Sequence, residues 1–246
     1  MLRALLFDFN GVLIDDEPLH ARLLRRVLAE VGIELDADHA GRFLGRNDRD
    51  SFTSALTAAR GAVEPGRVAR LVVRKAAYYQ EEVRRHGYPY FPGALELVRA
   101  AAADGLLLGI VSGALRDEVV AALAAAGIQP LFHALVTAED VACGKPDPEG
   151  YRSALAALNA EPPALGRLVH PHEAVAIEDS AAGLAAAAGA GLRAVAVAGS
   201  GPDRDLAGAD WVVRSLSEIS PARLRARFDR DEDGQAIGTR PAKPSS

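Results

Sequence analysis

At 246 residues, with 49% hydrophobic and 25% charged side chains, the chain can bury one substantial core plus a smaller accessory unit. Its net charge of −5 and pI near 5.7 remove any general electrostatic reason to bind nucleic acid or an anionic membrane. A single cysteine, Cys143, excludes an intramolecular disulfide and a thiolate metal cluster, and fits a reducing, cytoplasmic setting.

The chain opens on an apolar run, Leu2 to Phe7, that stops at Asp8 and reads as a strand buried on both faces. That opening lacks the basic start and cleavage site of a secretory signal, and no run reaches the roughly 18 apolar residues of a membrane span. From 17 to 87 the pattern is wholly helical. Leu19, Leu23, Leu24, Val27, Leu28 and Val31 recur at helical spacing, and further helices are expected over 37–44, 49–59 and 65–85. Tyr78, Tyr79, Tyr88 and Tyr90 read as packing and hinge support in and beside this segment.

Beyond Pro92 the pattern alternates. Strands are expected at 106–111, 134–136, 174–177 and 194–197, with a weaker one at 211–213. Alanine- and leucine-rich helices are expected at 94–103, 117–126, 148–158 and 181–188. The reading is an α/β chain: a Rossmann-like doubly wound parallel sheet, residues 1–16 and 88–228, with a helical cap, 17–87, inserted after the first strand. Residues 229–246, charged and rich in Gly and Pro, read as a disordered tail. His170 and His172 flank a proline without further ligands and read as an exposed loop, and Gly199-Ser200-Gly201 as a helix-entry turn.

In such a sheet, ligands gather beyond the carboxyl ends of the strands. Asp8, Ser112 and the pair Glu178/Asp179 each follow an apolar run there, so one crevice collects carboxylates and a hydroxyl from distant stretches. Clustered carboxylates repel unless a cation neutralises them, and hard oxygen ligands favour Mg²⁺. Lys145, in Cys143-Gly-Lys-Pro-Asp-Pro, is one of only three lysines, with Lys75 and Lys243, in an arginine-rich chain. A compact ammonium there would counter phosphate charge and favour an ionised nucleophile.

These residues resemble a known family. Phe7-Asp8-Phe9-Asn10-Gly11-Val12-Leu13 is similar to the first motif of the haloacid-dehalogenase-like phosphatases, Val111-Ser112-Gly113 to the second, Gly144-Lys145-Pro146 to the third, and Ile177-Glu178-Asp179-Ser180 with Gly183 to the fourth. The helical insertion is similar to that of the subgroup containing phosphoglycolate phosphatase and β-phosphoglucomutase. The resemblance implies that Asp8 attacks phosphorus and forms an aspartyl-phosphate. It implies Mg²⁺ held by Asp8, the main-chain carbonyl of Asn10 and Asp179, with Glu178 in the outer shell. Ser112 would donate to a phosphoryl oxygen, and Lys145 would bridge Asp8 and phosphate. Substrate contacts are implied for Gly11, Gly113 and Ala114, for the hinge residue His20, for Arg46 and Arg49 in Gly45-Arg-Asn-Asp-Arg, and for Arg116.

The sequence departs from the family at one place. Asn10 stands where the family has a carboxylate that protonates the leaving oxygen and then deprotonates water, a contribution worth about 10²- to 10⁴-fold. Three explanations compete: relocation of that role to Asp16, which otherwise reads as a helix N-cap; attenuated turnover; or an inactive form that still binds phosphate esters. The expected function is a Mg²⁺-dependent phosphatase for a small phosphorylated metabolite, with no nucleic-acid or membrane partner; the sequence leaves the oligomeric state open, with a monomer favoured. The alternatives are a β-phosphoglucomutase-like phosphosugar mutase and a noncatalytic phosphate-ester binding protein. A phosphonatase, which would need Lys75 as its cap lysine, and a dehalogenase rank below these.

Overall fold

The structure is a computed structural model and describes residues 1–35, 48–61, 63–160, 166–199 and 205–229. The expected helix over 37–44, Arg46, residues 200 and 201 of the glycine turn, and 230–246 of the expected tail lie outside the described residues. The chain divides into two compact units, Met1–Ile14 with Tyr90–Ser246, and Asp15–Pro89. By this division residues 15, 16, 88 and 89, assigned to the core on sequence, fall in the unit that holds the helical segment.

The first unit is built on six parallel strands: β1 (Ala4–Phe7), β2 (Leu107–Val111), β3 (Phe132–Val136), β4 (Ala174–Glu178), β5 (Arg193–Val197) and β6 (Trp211–Val213), in the order β3-β2-β1-β4-β5-β6. Every residue of β1, β2 and β4 is buried, which is why these runs carry apolar side chains without alternation. The connecting helices are α4 (Ala94–Ala103), α5 (Arg116–Ala125), α6 (Glu149–Leu158), α7 (Ala181–Gly189) and α8 (Pro221–Phe228). Ala154, Leu184, Ala186 and Ala187 of these helices share one core cluster with Leu6, Ala174 and Ala176 of the sheet. The chain runs from β1 outward to β3 and returns on the other side of β1 as β4. The topological switch point therefore lies between β1 and β4, where ligands bind in sheets of this kind.

Asp229 is the one described residue of the expected tail. Asp229 is buried and accepts a hydrogen bond from the Leu2 N–H, while the Arg225 guanidinium donates to the Leu2 carbonyl at 2.9 Å, so the α8 end is tied to the start of β1.

The second unit holds α1 (Glu17–Ala29), α2 (Asp48–Arg60) and α3 (Pro65–His86). Leu24, Val27 and Leu28 of α1 pack with Phe52 and Leu56 of α2 and Val68 and Leu71 of α3. The three residues of α1 are among the helical-period positions read from sequence. Leu23, Tyr79 and Val83 make a second cluster, joined by Leu19, Tyr78 and Tyr88. Tyr90 belongs to the first unit, where its hydroxyl donates to the Ala122 carbonyl at 2.6 Å.

Candidate active site

Asp8 is the first residue after β1, and its N–H donates to the Ile177 carbonyl of β4 at 2.9 Å, so the backbone holds it at the switch point. The chain then turns tightly: the Gly11 N–H bonds the Ile14 carbonyl at 2.9 Å, and the Leu13 N–H the Phe9 carbonyl at 2.8 Å. Gly11 has φ +84°, and a Cβ there would lie 2.1 Å from Asp179 Oδ2. Glycine is required twice over, for the left-handed backbone and for the approach of the carboxylate.

β4 ends at Glu178, and Asp179 lies in the turn into α7. Ser180 caps that helix, its hydroxyl accepting from the Gly183 N–H at 3.1 Å. Oxygens of Asp8, Glu178 and Asp179 all lie within 4.8 Å of one another, and all three residues are buried. Lys145 enters from the loop after β3, placing its ammonium 2.5 Å from Asp8 Oδ1 and 2.6 Å from Glu178 Oε1. Glu149 shapes that loop by accepting the N–H groups of Ala142 and Cys143 at 3.0 and 2.8 Å, bonds that hold its carboxyl below the usual range.

Burial pushes the Asp8 carboxyl up to about 7, against the pull of Lys145, and Glu178 and Asp179 add to the rise. Burial pulls Lys145 down, but Asp8 and Glu178 outweigh it and hold the ammonium above its usual value. Three buried carboxylates against one ammonium leave a negative surplus that a divalent cation suits, and the donors are all hard oxygens. The residues present therefore fit such an ion.

Ser112 directly follows β2, the neighbour of β1, with its N–H on the Val136 carbonyl. Its Oγ accepts the Ala114 N–H at 3.0 Å, which leaves the hydroxyl proton to donate. Gly113 is exposed in the same turn, and the Ala114 carbonyl accepts from the Ala138 N–H. The Arg116 guanidinium bonds Asp140 Oδ2 at 2.6 Å and the Leu135 carbonyl at 3.2 Å, tying the start of α5 to β3 and the turn after it. Arg49 is exposed in the first turn of α2.

In the helical unit, Asp16 occupies the N-cap position of α1, but its side chain makes no cap bond. It is buried instead, with Oδ2 accepting the Tyr79 hydroxyl at 2.9 Å and lying 3.2 Å from His20 Nε2. Lys75, also buried, lies 2.7 Å from His20 Nδ1 and is paired with Asp48. An ammonium has only protons to give, so Nδ1 of His20 accepts, its Nε2 carries the hydrogen, and that hydrogen points at Asp16. His20 is thus a hydrogen-bonded link, and Tyr79 contributes a donor as well as packing.

Two residues at these sites carry no sequence signal strong enough to single them out. Tyr151, wholly buried in the first turn of α6, donates its hydroxyl to Glu178 Oε1 at 2.6 Å. Burial and the Glu178 carboxylate hold its phenol well above the usual range, so it remains a donor. Its place six residues beyond Lys145 is the available hint, but an aromatic on an apolar helix face reads as packing. Asp48, the partner of Lys75, is hidden in sequence between Arg46 and Arg49. His170 and His172 stack on each other at 5.6 Å in an exposed turn and form no metal group with carboxylates among the described residues.

A haloacid dehalogenase-like hydrolase family model matches residues 2–191. The chain belongs to that family. Among relatives it is 31% identical, over 89% of its length and 96% of theirs, to validoxylamine A 7'-phosphate phosphatase of Streptomyces hygroscopicus subsp. limoneus. It is 30% identical to hexitol phosphatase B of Escherichia coli, over 90% of this chain and 96% of that one. Among solved structures, an Asp-to-Asn variant of CbbY from Rhodobacter sphaeroides in complex with xylulose-(1,5)bisphosphate matches with a TM-score of 0.73 and 29% identity, over 89% of this chain and 96% of that one. No helix among the described residues is long and apolar enough to cross a membrane.

Proposed function

We propose that this haloacid dehalogenase-like hydrolase is a Mg²⁺-dependent phosphatase of a small phosphorylated sugar or polyol, working through an aspartyl-phosphate on Asp8. The observation that carries this reading is the convergence of Asp8, Lys145, Glu178 and Asp179 at the switch point. The names of the relatives, a validoxylamine phosphate phosphatase, a hexitol phosphatase and a bisphosphate-bound CbbY, support the substrate class.

Asp8 and Asp179, with the Asn10 carbonyl, would hold the ion. When bound, it would neutralise phosphate charge and favour the ionised form of a carboxyl that burial otherwise pushes toward neutrality. An Asp8 carboxylate oxygen attacks phosphorus, the bond to the leaving alkoxide breaks, and water then cleaves the acyl-phosphate to release phosphate. Lys145 balances charge on Asp8 and the phosphoryl group, and the Ser112 hydroxyl donates to a phosphoryl oxygen. In reactions of this type, positioning and charge neutralisation supply most of the acceleration.

Proton transfer needs a group other than the Asn10 amide. We assign it to Asp16, whose carboxylate is held by Tyr79 and His20 and makes no cap bond. A mutase reading is favoured by 28% identity to β-phosphoglucomutase of Bacillus subtilis, and an isomeric phosphosugar with little free phosphate would select it.

The test is a phosphometabolite panel with Mg²⁺, run on the natural chain and on Asn10→Asp, Asp16→Asn and Asp8→Asn. Phosphate release should vanish in Asp8→Asn and fall about tenfold or more in Asp16→Asn. Release persisting in Asp8→Asn rejects the aspartyl-phosphate. An unchanged rate in Asp16→Asn, with a gain of about 100-fold in Asn10→Asp, rejects the assignment of Asp16 and points to attenuation.

A further inference from the structure

Glu178 lies within the carboxylate cluster, yet its oxygens are occupied from within the protein. Oε1 receives the Tyr151 hydroxyl and the Lys145 ammonium, each at 2.6 Å. Oε2 faces the Asp179 N–H and the Ser180 hydroxyl, each at 3.3 Å. A carboxylate offers about four lone-pair positions, so these four donors account for its accepting capacity. The carboxylate is also seated against the backbone: a Cβ on Gly183 would lie 1.9 Å from Oε2. Three of the four donors have another task. Lys145 also pairs with Asp8, Ser180 caps α7, and the Asp179 N–H is main chain. The Tyr151 hydroxyl, on a fully buried ring, has Glu178 as its hydrogen-bond acceptor.

We propose that the Tyr151 hydroxyl is a specificity determinant for the metal: it pins Glu178 out of the ion's own ligand set and so makes the site prefer Mg²⁺ to Ca²⁺. The physical basis is ligand supply. Mg²⁺ keeps several waters and takes one or two carboxylates, whereas Ca²⁺ takes six to eight oxygens and gains from each added carboxylate. With Glu178 saturated, Asp8 and Asp179 remain as the carboxylate ligands, which suits the smaller ion. Tyr151→Phe keeps the ring and its packing and frees one lone pair on Oε1. Glu178 can then turn toward the ion as a third carboxylate. Tyr151 acts through Glu178, the acceptor of its hydroxyl, so it is a positioning residue. This inference rests on the divalent-ion reading of the site.

The test is calorimetric titration of the metal-free full chain with Mg²⁺ and, separately, with Ca²⁺, so the readout is binding and not turnover. Tyr151→Phe should bind Ca²⁺ about tenfold or more tightly than the natural chain while Mg²⁺ affinity moves by less than about threefold. Adding Glu178→Gln to Tyr151→Phe should erase the Ca²⁺ gain, because the gain comes through that carboxylate. An unchanged Ca²⁺-to-Mg²⁺ ratio in folded Tyr151→Phe overturns the proposal, as does a gain that survives Glu178→Gln. Should Tyr151→Phe not fold, single variants decide: Glu178→Gln should weaken Mg²⁺ binding less than Asp179→Asn, and an equal or greater loss overturns the proposal. A natural chain that binds neither ion overturns this inference together with the divalent-ion reading, whereas binding with an unaltered preference in Tyr151→Phe overturns this inference alone.

Discussion

Replacing Gly183 by alanine should destabilise the protein although the position is the third residue of helix α7, where alanine is ordinarily the better residue by about 1 kcal/mol. The reason is the seat of Glu178. The new Cβ would lie 1.9 Å from Oε2, 2.0 Å from Cδ and 2.2 Å from Oε1, against a floor of 3.0 Å for real Cβ contacts. The carboxylate must retreat by about 1 Å, which the 2.6 Å bonds to Tyr151 and Lys145 cannot accommodate. Losing two bonds to a charged group at about 1.5–3 kcal/mol each, less the helix gain, leaves a net cost of about 2–5 kcal/mol. That is a large part of the 5–15 kcal/mol typical of a folded domain, roughly. Urea unfolding followed by circular dichroism measures it, and Mg²⁺ titration of the folded variant should show weakened binding because Lys145 loses one of its two carboxylate partners and bears on Asp8 alone. A Gly183→Ala variant as stable as the natural chain, or more stable, refutes the idea that Glu178 is held against that backbone.

Gly11→Ala should weaken divalent-ion binding about tenfold or more by calorimetry, since the added methyl displaces Asp179 Oδ2 and the backbone there has φ +84°. Lys75→Met should leave the fold within about 2 kcal/mol, because Asp48 can rehydrate. The His20 Nδ1 ¹⁵N shift at fixed pH should nevertheless change, because Nδ1 loses the proton that Lys75 donates to it while Asp16 still holds hydrogen on Nε2, and an identical Nδ1 shift would contradict the assigned link. Arg116→Ala tests the ion pair with Asp140, whose carboxyl is held down to about 2 by Arg116 first and Thr137 second. A carboxyl depressed from 3.8 adds stability that is present above pH 3.8 and lost as pH falls through about 2. The variant should therefore be less stable at pH 6, by under about 1 kcal/mol because both side chains are partly exposed, with the gap closing by pH 2. A gap of constant size across that range would contradict the pairing.

Much of the site was legible from residue order because a parallel sheet delivers its chemistry at strand ends. The apolar runs that stop at Phe7, Val111 and Ile177 mark β1, β2 and β4, and the polar residue next after each run, Asp8, Ser112 or Glu178, stands at the carboxyl edge of the sheet. The helical period of α1 and the packing of Leu24, Val27 and Leu28 were likewise local information. Asn10, as a departure from a motif, was visible in the chain alone.

Partner choice was not legible, because it depends on which distant groups the fold brings within hydrogen-bond reach. The partners of Arg116, Asp140 and the Leu135 carbonyl, come from β3 and the turn after it, about 20 residues further along the chain. Asp16 reads as a helix cap until α3 brings the Tyr79 hydroxyl to it, and the partner of Lys75, Asp48, comes from α2. Tyr151 reads as one more apolar face residue, and only the packing of the α6 side chain beside the end of β4 turns its hydroxyl into the fourth donor on Glu178. Strand order and motif are properties of the chain, whereas the pairing of buried polar groups is decided by long-range packing, since each must find its partner where water cannot reach.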